Sequence, residues 1–192
     1  RPRGSGGAGA NPPAGAIGLT RAASDAGFDA CLLVTPYYNK PTQEGLYRHF
    51  HAVAEAAPIP QILYNVPGRT ACDLQTDTVL RLAEIPNIVG LKDATGSLER
   101  AAELLARCPA DFWLFSGEDA IAAELMLRGY RGVISFTAPV APSALPALSH
   151  AALARNRELS QRPDPPPQAP ARRPLLHAHP HPPDAPPARL RH

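Results

Sequence analysis

Five short apolar runs alternate along this chain with longer stretches whose apolar residues recur at helical spacing. The runs are residues 30–35, 61–66, 88–92, 112–116 and 132–137. Continuous apolar segments of this length, bounded by Pro or Gly, predict strands covered on both faces. The intervening stretches read as amphipathic helices. In 42–57, Leu46, Phe50, Val53, Ala54 and Ala57 share one stripe, and in 73–83 Leu74, Val79 and Leu82 do the same. Ser97 is a fitting N-cap for a helix to residue 107. Helices are also expected over 14–27, over 119–127, and, more weakly, over 144–157.

Strand and helix in strict succession imply right-handed crossovers and a parallel sheet, so the fold class is α/β. Two architectures satisfy the pattern. A doubly wound sheet that binds a dinucleotide carries G-x-G-x-x-G directly after a strand, and none of the five runs leads into one. The residues at the ends of the runs are instead polar and reactive: Tyr37–Tyr38, Tyr64–Asn65, Lys92–Asp93, Gly117–Glu118 and Thr137. Side chains of this kind at strand C-terminal ends are the layout of a barrel active site. The expected fold is therefore a partial (β/α)8 TIM barrel, with about five of its eight strands present. Its expected limits are a flexible segment 1–13, a barrel domain 14–157 and a disordered tail 158–192. The tail holds eleven of the 24 prolines and four of the seven histidines, a bias that supports no packed core.

Bulk properties exclude several classes of function. A formal net charge of +2 over 192 residues is too small to argue for nucleic acid or an anionic membrane surface. No apolar run approaches the length of a membrane span, and the N-terminal residues have no apolar core of a secretory signal. Cys31, Cys72 and Cys108 are odd in number and lack C-x-x-C spacing, which suits a reducing, cytoplasmic setting without metal better than a disulfide framework.

Lys92 closes the apolar run of I-V-G-L-K-D-A-T-G. Burial of its amine lowers the pKa, and a neutral amine attacks carbonyl carbon to form a Schiff base. The competing reading is a lysine that ends a strand and snorkels to solvent. Tyr64, one strand earlier and at similar height, is placed to bring a phenol hydroxyl toward that nitrogen and relay protons. Arg69 comes just after P-G and offers a carboxylate fork. Tyr37 and Tyr38 form an aromatic pair that suits either a site or an interface.

The segments T-P-Y-Y-N-K-P-T-Q-E-G-L-Y, Y-N-V-P-G-R-T, G-L-K-D-A-T-G, S-G-E-D and G-V-I-S, in this order and spacing, resemble the dihydrodipicolinate synthase (4-hydroxy-tetrahydrodipicolinate synthase) family. The likeness runs from about Gly9 to Ala152. It is more specific than the lysine motif alone, which N-acetylneuraminate lyase and keto-deoxy sugar acid aldolases share. The resemblance implies a lyase of lysine and diaminopimelate biosynthesis that condenses pyruvate with aspartate 4-semialdehyde, without metal or organic cofactor. By the same resemblance, Lys92 forms the pyruvate imine, Tyr64 passes protons beside it, and Tyr38 extends the relay into a neighbouring subunit. Arg69 binds the carboxylate of the semialdehyde, and Gly117 and Ile134 line the pyruvate pocket. Asn11 and Tyr37 match positions that bind inhibitory lysine in some members. A homo-oligomer, dimer or tetramer, is implied, with no nucleic acid or membrane partner.

The family pattern also includes two earlier strands, the second ending in G-T-T-G-E, and helices after the barrel. Neither is found in this sequence, and Gly15 stands where a glutamate is expected. The expectation is a truncation or shifted reading frame, with an inactive fragment, or a related pyruvate aldolase of the N-acetylneuraminate lyase or keto-deoxy sugar acid kind, as the alternatives to a working lyase of this family.

Overall fold

The computed structural model describes residues 6–7, 13–37, 39–134 and 154. Their strands form one sheet in the order β1-β2-β3-β4-β5-β6. β1 is Gly6–Gly7, β2 Cys31–Val34, β3 Gln61–Asn65, β4 Ile88–Asp93, β5 Trp113–Ser116 and β6 Gly132–Val133. Each neighbouring pair is parallel. The helices are α1 Pro13–Asp25, α2 Gln43–Ala56, α3 Pro67–Thr70, α4 Thr76–Ala83, α5 Leu98–Arg107 and α6 Ala122–Arg128, with a 3-10 turn at Asp119–Ile121. Because each strand lies beside its predecessor, the winding never reverses. A doubly wound sheet needs such a reversal at its binding crevice, so the order is that of a barrel wall.

All five predicted strands are found, and three elements depart from expectation. β1 falls in the segment read as flexible: Gly6 pairs with Cys31 and Gly7 with Leu32. Two glycines have no apolar signature, so nothing in their own sequence betrays a strand. The helix expected over 73–83 begins only at Thr76. Residues 73–75 are instead tethered from outside, with Gln43 Nε2 donating to the Asp73 carbonyl at 2.7 Å and Asn65 Oδ1 accepting from the Leu74 amide at 3.0 Å. Leu74 is nevertheless fully buried. Finally, α3 forms where Pro-Gly reads as a turn, since Pro67 occupies the first turn, where its missing N–H costs nothing. Ala71, at φ +50°, closes it by donating to the Pro67 carbonyl.

Elsewhere the local signals hold. Thr42 Oγ1 accepts from the Gly45 amide and Ser97 Oγ from the Arg100 amide, capping α2 and α5. Gly129, at φ +130°, ends α6. The helix expected over 144–157 lies outside the described residues except for Ala154, which is helical, and residues 158–192 lie outside them altogether.

Strand side chains alternate between the two faces of the sheet, and the alternation separates core from site. Cys31, Leu33, Leu63, Leu91 and Leu114 point toward the helices and join Leu46, Phe50, Val53, Val79, Leu82 and Leu104 in one core. Burying each such leucine contributes roughly 1.5–3 kcal/mol before the entropy of ordering is subtracted. The intervening residues Val34, Tyr64, Lys92 and Phe115 stand in one cross-strand row on the opposite face. Strands approach closely on that face. A Cβ at Gly90 would lie 2.5 Å from the Trp113 carbonyl oxygen, so no larger residue fits there without moving backbone.

Candidate active site

Lys92 is 6% exposed, which removes the snorkelling alternative. Tyr64 is its direct partner in the β3–β4 register. The lysine Nζ lies 3.9 Å from the centroid of the Tyr64 ring. The expected meeting of hydroxyl and amine is thus replaced by an amine lying over the ring face. Burial is the larger influence on the amine and holds its pKa at about 8, down from 10.5. The Asp119 carboxylate opposes this shift and the Arg69 guanidinium reinforces it. At pH 7 a pKa of 8 leaves about a tenth of the amine neutral, against roughly one part in three thousand for an ordinary lysine.

Burial displaces the Tyr64 pKa upward; the Arg69 charge pulls it back, and the Glu118 charge adds a smaller rise. Its phenol is therefore protonated at neutral pH and available as a donor. Arg69 is exposed on α3, and its charge acts on both Lys92 and Tyr64. The backbone beyond β4 and β5 continues the ladder: the Gly117 amide donates to the Asp93 carbonyl at 2.7 Å and the Ile134 amide to the Ser116 carbonyl at 2.8 Å. Gly117 presses directly against the Lys92 side chain. A Cβ there would sit 3.0 Å from Lys92 Cε, 2.7 Å from Ala94 Cβ and 3.2 Å from the Asp93 carbonyl oxygen. Lys92, Tyr64, Arg69, Gly117 and Ile134 thus all lie at or just past the carboxyl-terminal ends of β3 to β6. Tyr37 is 49% exposed on the loop between β2 and α2. Tyr38 and Asn11 lie outside the described residues.

The pairs Tyr64–Asn65 and Lys92–Asp93 do not act as pairs. Alternation turns Asn65 and Asp93 to the helix side, where they join a row of buried polar residues completed by Thr35 and Ser116. Asn65 Nδ2 donates to Asp73 Oδ1 at 2.8 Å and to Asp93 Oδ1 at 3.1 Å. Sequence reading also overlooked Asp119 as the charge facing Lys92. The S-G-E-D segment carried it, but nothing local tells which of its two acids faces the amine.

These features define a class: a barrel wall of parallel β/α units with a buried, pKa-lowered lysine at the carboxyl end of a strand. Comparison with known proteins narrows it. The model of the dihydrodipicolinate synthetase family matches residues 5–162, and the chain belongs to that family. It is 63% identical over 155 residues to the 4-hydroxy-tetrahydrodipicolinate synthase of Thioalkalivibrio sulfidiphilus, covering 81% of this chain and 53% of the relative. The enzyme of the same name from Methylococcus capsulatus is 61% identical over the same shares. Among solved structures, the dihydrodipicolinate synthase of Acinetobacter baumannii complexed with pyruvate superposes with a TM-score of 0.77 at 54% identity, over 82% of this chain and 54% of that one. The Aquifex aeolicus synthase gives 0.76 at 41% identity, over 82% and 55%. The chain spans about half the length of the curated relatives it matches. No helix among the described residues is long and apolar enough to cross a membrane.

Proposed function

We propose that Lys92 is the imine-forming residue of a lyase that condenses pyruvate with aspartate 4-semialdehyde to give 4-hydroxy-tetrahydrodipicolinate. The observation that carries this reading is the buried Lys92 amine, lowered to about pKa 8, lying over the Tyr64 ring at the carboxyl end of β4. The naming of close relatives as synthases of that product supports the substrate assignment.

In this mechanism the neutral amine attacks C2 of pyruvate, and the carbinolamine loses water to form the imine. A proton leaves C3, and the resulting enamine attacks the aldehyde carbon of the semialdehyde, whose oxygen takes up a proton. The semialdehyde amino group then displaces Lys92 from the imine carbon, closing the ring and restoring the free amine. Tyr64 carries protons to and from these oxygens. The imine is itself the electron sink, so the chemistry requires neither metal nor organic cofactor. Arg69 is assigned to the semialdehyde carboxylate, to which a guanidinium presents a fork. The amides and surfaces around Gly117 and Ile134 are assigned to pyruvate. Tyr38 is assigned to the relay across a homo-oligomer contact, with exposed Tyr37 beside it. Tyr37 and Asn11 are further assigned to a lysine effector.

Incubation of the 192-residue chain with pyruvate and borohydride tests the reading. A covalent adduct on the peptide holding Lys92, absent from Lys92→Met, is expected. Folded protein without an adduct overturns it.

A further inference from the structure

Behind the site, on the helix side of the sheet, one arginine draws together three segments that the chemistry needs in register. Arg100, on α5, donates through Nε to Asp93 Oδ1 at 3.3 Å. Its Nη2 donates to the Leu74 carbonyl, and its Nη1 lies 4.0 Å from Asp73 Oδ2. Asp93 directly succeeds Lys92 in the chain. Asn65, the residue after Tyr64, is tied to Asp93, Asp73 and the Leu74 amide. The 73–74 loop leads straight back to α3 and Arg69. Asp93 is 5% exposed, and its second oxygen accepts from Thr95 Oγ1 at 2.5 Å.

We infer that Arg100 is a positioning residue which, through Asp93 and the 73–74 loop, holds the strand ends bearing Lys92 and Tyr64 and the turn bearing Arg69 in one fixed arrangement. The inference deepens the imine reading of Lys92 and rests on it. None of its groups touches the amine. The side chains that act on Lys92 are Tyr64 from β3, Arg69 from α3 and Asp119 from the 3-10 turn, none of them a partner of Arg100 in these bonds. Arg100 therefore works by geometry. Without it, buried Asp93 would be held by neutral donors alone, and a buried carboxylate deprived of its cation is strongly destabilising to the packing around it. Relief of that cost frees the two strand ends to separate, loosening the seat of the amine.

The test uses the full 192-residue chain with two variants, Arg100→Met and Arg100→Lys, each checked for a cooperative melt. Two quantities are read: the rate of pyruvate–borohydride trapping at Lys92 across pyruvate concentration, and the pH midpoint of Lys92 acetylation by acetic anhydride, tracked by peptide mass. Arg100→Met is expected to slow trapping at saturating pyruvate by about tenfold or more while half-saturation moves little. Its acetylation midpoint should rise toward that of an ordinary lysine as water reaches the amine. Arg100→Lys keeps the charge but loses the fork, and should recover part of both. A folded Arg100→Met whose trapping rate and midpoint both match the parent overturns the inference. Should Arg100→Met not fold, Thr95→Val decides by the same two readings, since it removes an anchor of Asp93 at nearly constant shape. If the parent forms no adduct, the imine reading fails, and the acetylation midpoint alone still decides whether Arg100 seats the amine.

Discussion

Lys92 lies over the face of Tyr64, its Nζ 3.9 Å from the ring centroid, because the two residues are register partners at the ends of adjacent parallel strands. The tyrosine therefore contributes two separable things. Its ring walls the amine from water and offers a weak attraction to the ammonium. Its hydroxyl, protonated at neutral pH, is the proton carrier only in the proposed mechanism.

Replacing Tyr64 by Phe keeps the wall and removes the carrier. The Lys92 acetylation midpoint should stay near that of the parent, while pyruvate trapping slows by roughly 100-fold or more, the usual range for loss of a general acid–base group. A variant that shifts the midpoint as strongly as it slows trapping would show that the hydroxyl, not the ring, sets the state of the amine.

The buried amine should weigh against stability. Its pKa lies near 8 in the folded chain and 10.5 when exposed. Below pH 8 both states are protonated and the folded state bears the full cost, roughly 3 kcal/mol by linkage. Between pH 8 and 10.5 the unfolded state binds more protons, so this contribution to stability rises with pH. The thiols of buried Cys31 and half-buried Cys108, raised from 9.0 to about 11, act in the opposite sense above pH 9. Comparison with Lys92→Met cancels them. Urea melts should find Lys92→Met more stable at pH 7 by about 1–3 kcal/mol, with the advantage shrinking toward pH 10.5. An advantage that is constant across that range would mean that the amine is not desolvated.

The walls of this fold were readable because parallel strands buried on both faces are short, mainly apolar runs, as 61–66 and 88–92 are, and because Ser97 advertises a helix start. Lys92 stood out for the opposite reason: a lysine at the end of such a run is costly. What sequence adjacency obscured was the side of the sheet. Tyr64–Asn65 and Lys92–Asp93 look like pairs of reactive groups, yet the two-residue period sends Asn65 and Asp93 into the helix layer. Arg100 was invisible as a partner of Leu74, because a helix and a loop 26 residues apart meet only once the crossovers are built. β1 was hidden for want of any side chain to pattern.

Core and site should separate in their response to mutation. Leu104 of α5 is fully buried between the helix layer and the sheet, in the cluster with Leu91 and Leu114. Leu104→Ala should cost about 2–5 kcal/mol in a denaturant melt. It leaves every group around Lys92 in place, so the acetylation midpoint measured below the melting range should not move. A midpoint that tracks the loss of stability would show that the amine's environment depends on global packing rather than on its own neighbours.

Gly117 sets a tight steric condition on the Lys92 side chain. Its φ lies in a region open to any residue, so the backbone alone permits alanine there. Space does not: the added methyl would meet Ala94 Cβ at 2.7 Å and the Asp93 carbonyl oxygen at 3.2 Å, neither of which is a flexible side-chain end, and Lys92 Cε at 3.0 Å. Relief requires the β5–α6 connection to move outward or the lysine stem to be pushed aside. The first stretches the 2.7 Å bond from the Gly117 amide to the Asp93 carbonyl, and the second lifts the amine from the Tyr64 ring. Overpacking of this kind costs typically about 1–3 kcal/mol, so Gly117→Ala should still fold, with a lowered melting point. Pyruvate trapping at Lys92 should fall by about tenfold or more, because small displacements of a reacting group carry large rate penalties. The decisive comparison is with Gly68→Ala on exposed α3, where nothing lies within 4 Å of the added methyl. If both variants trap pyruvate at the parental rate, the close approach of Gly117 to the lysine stem has no part in setting the amine's position.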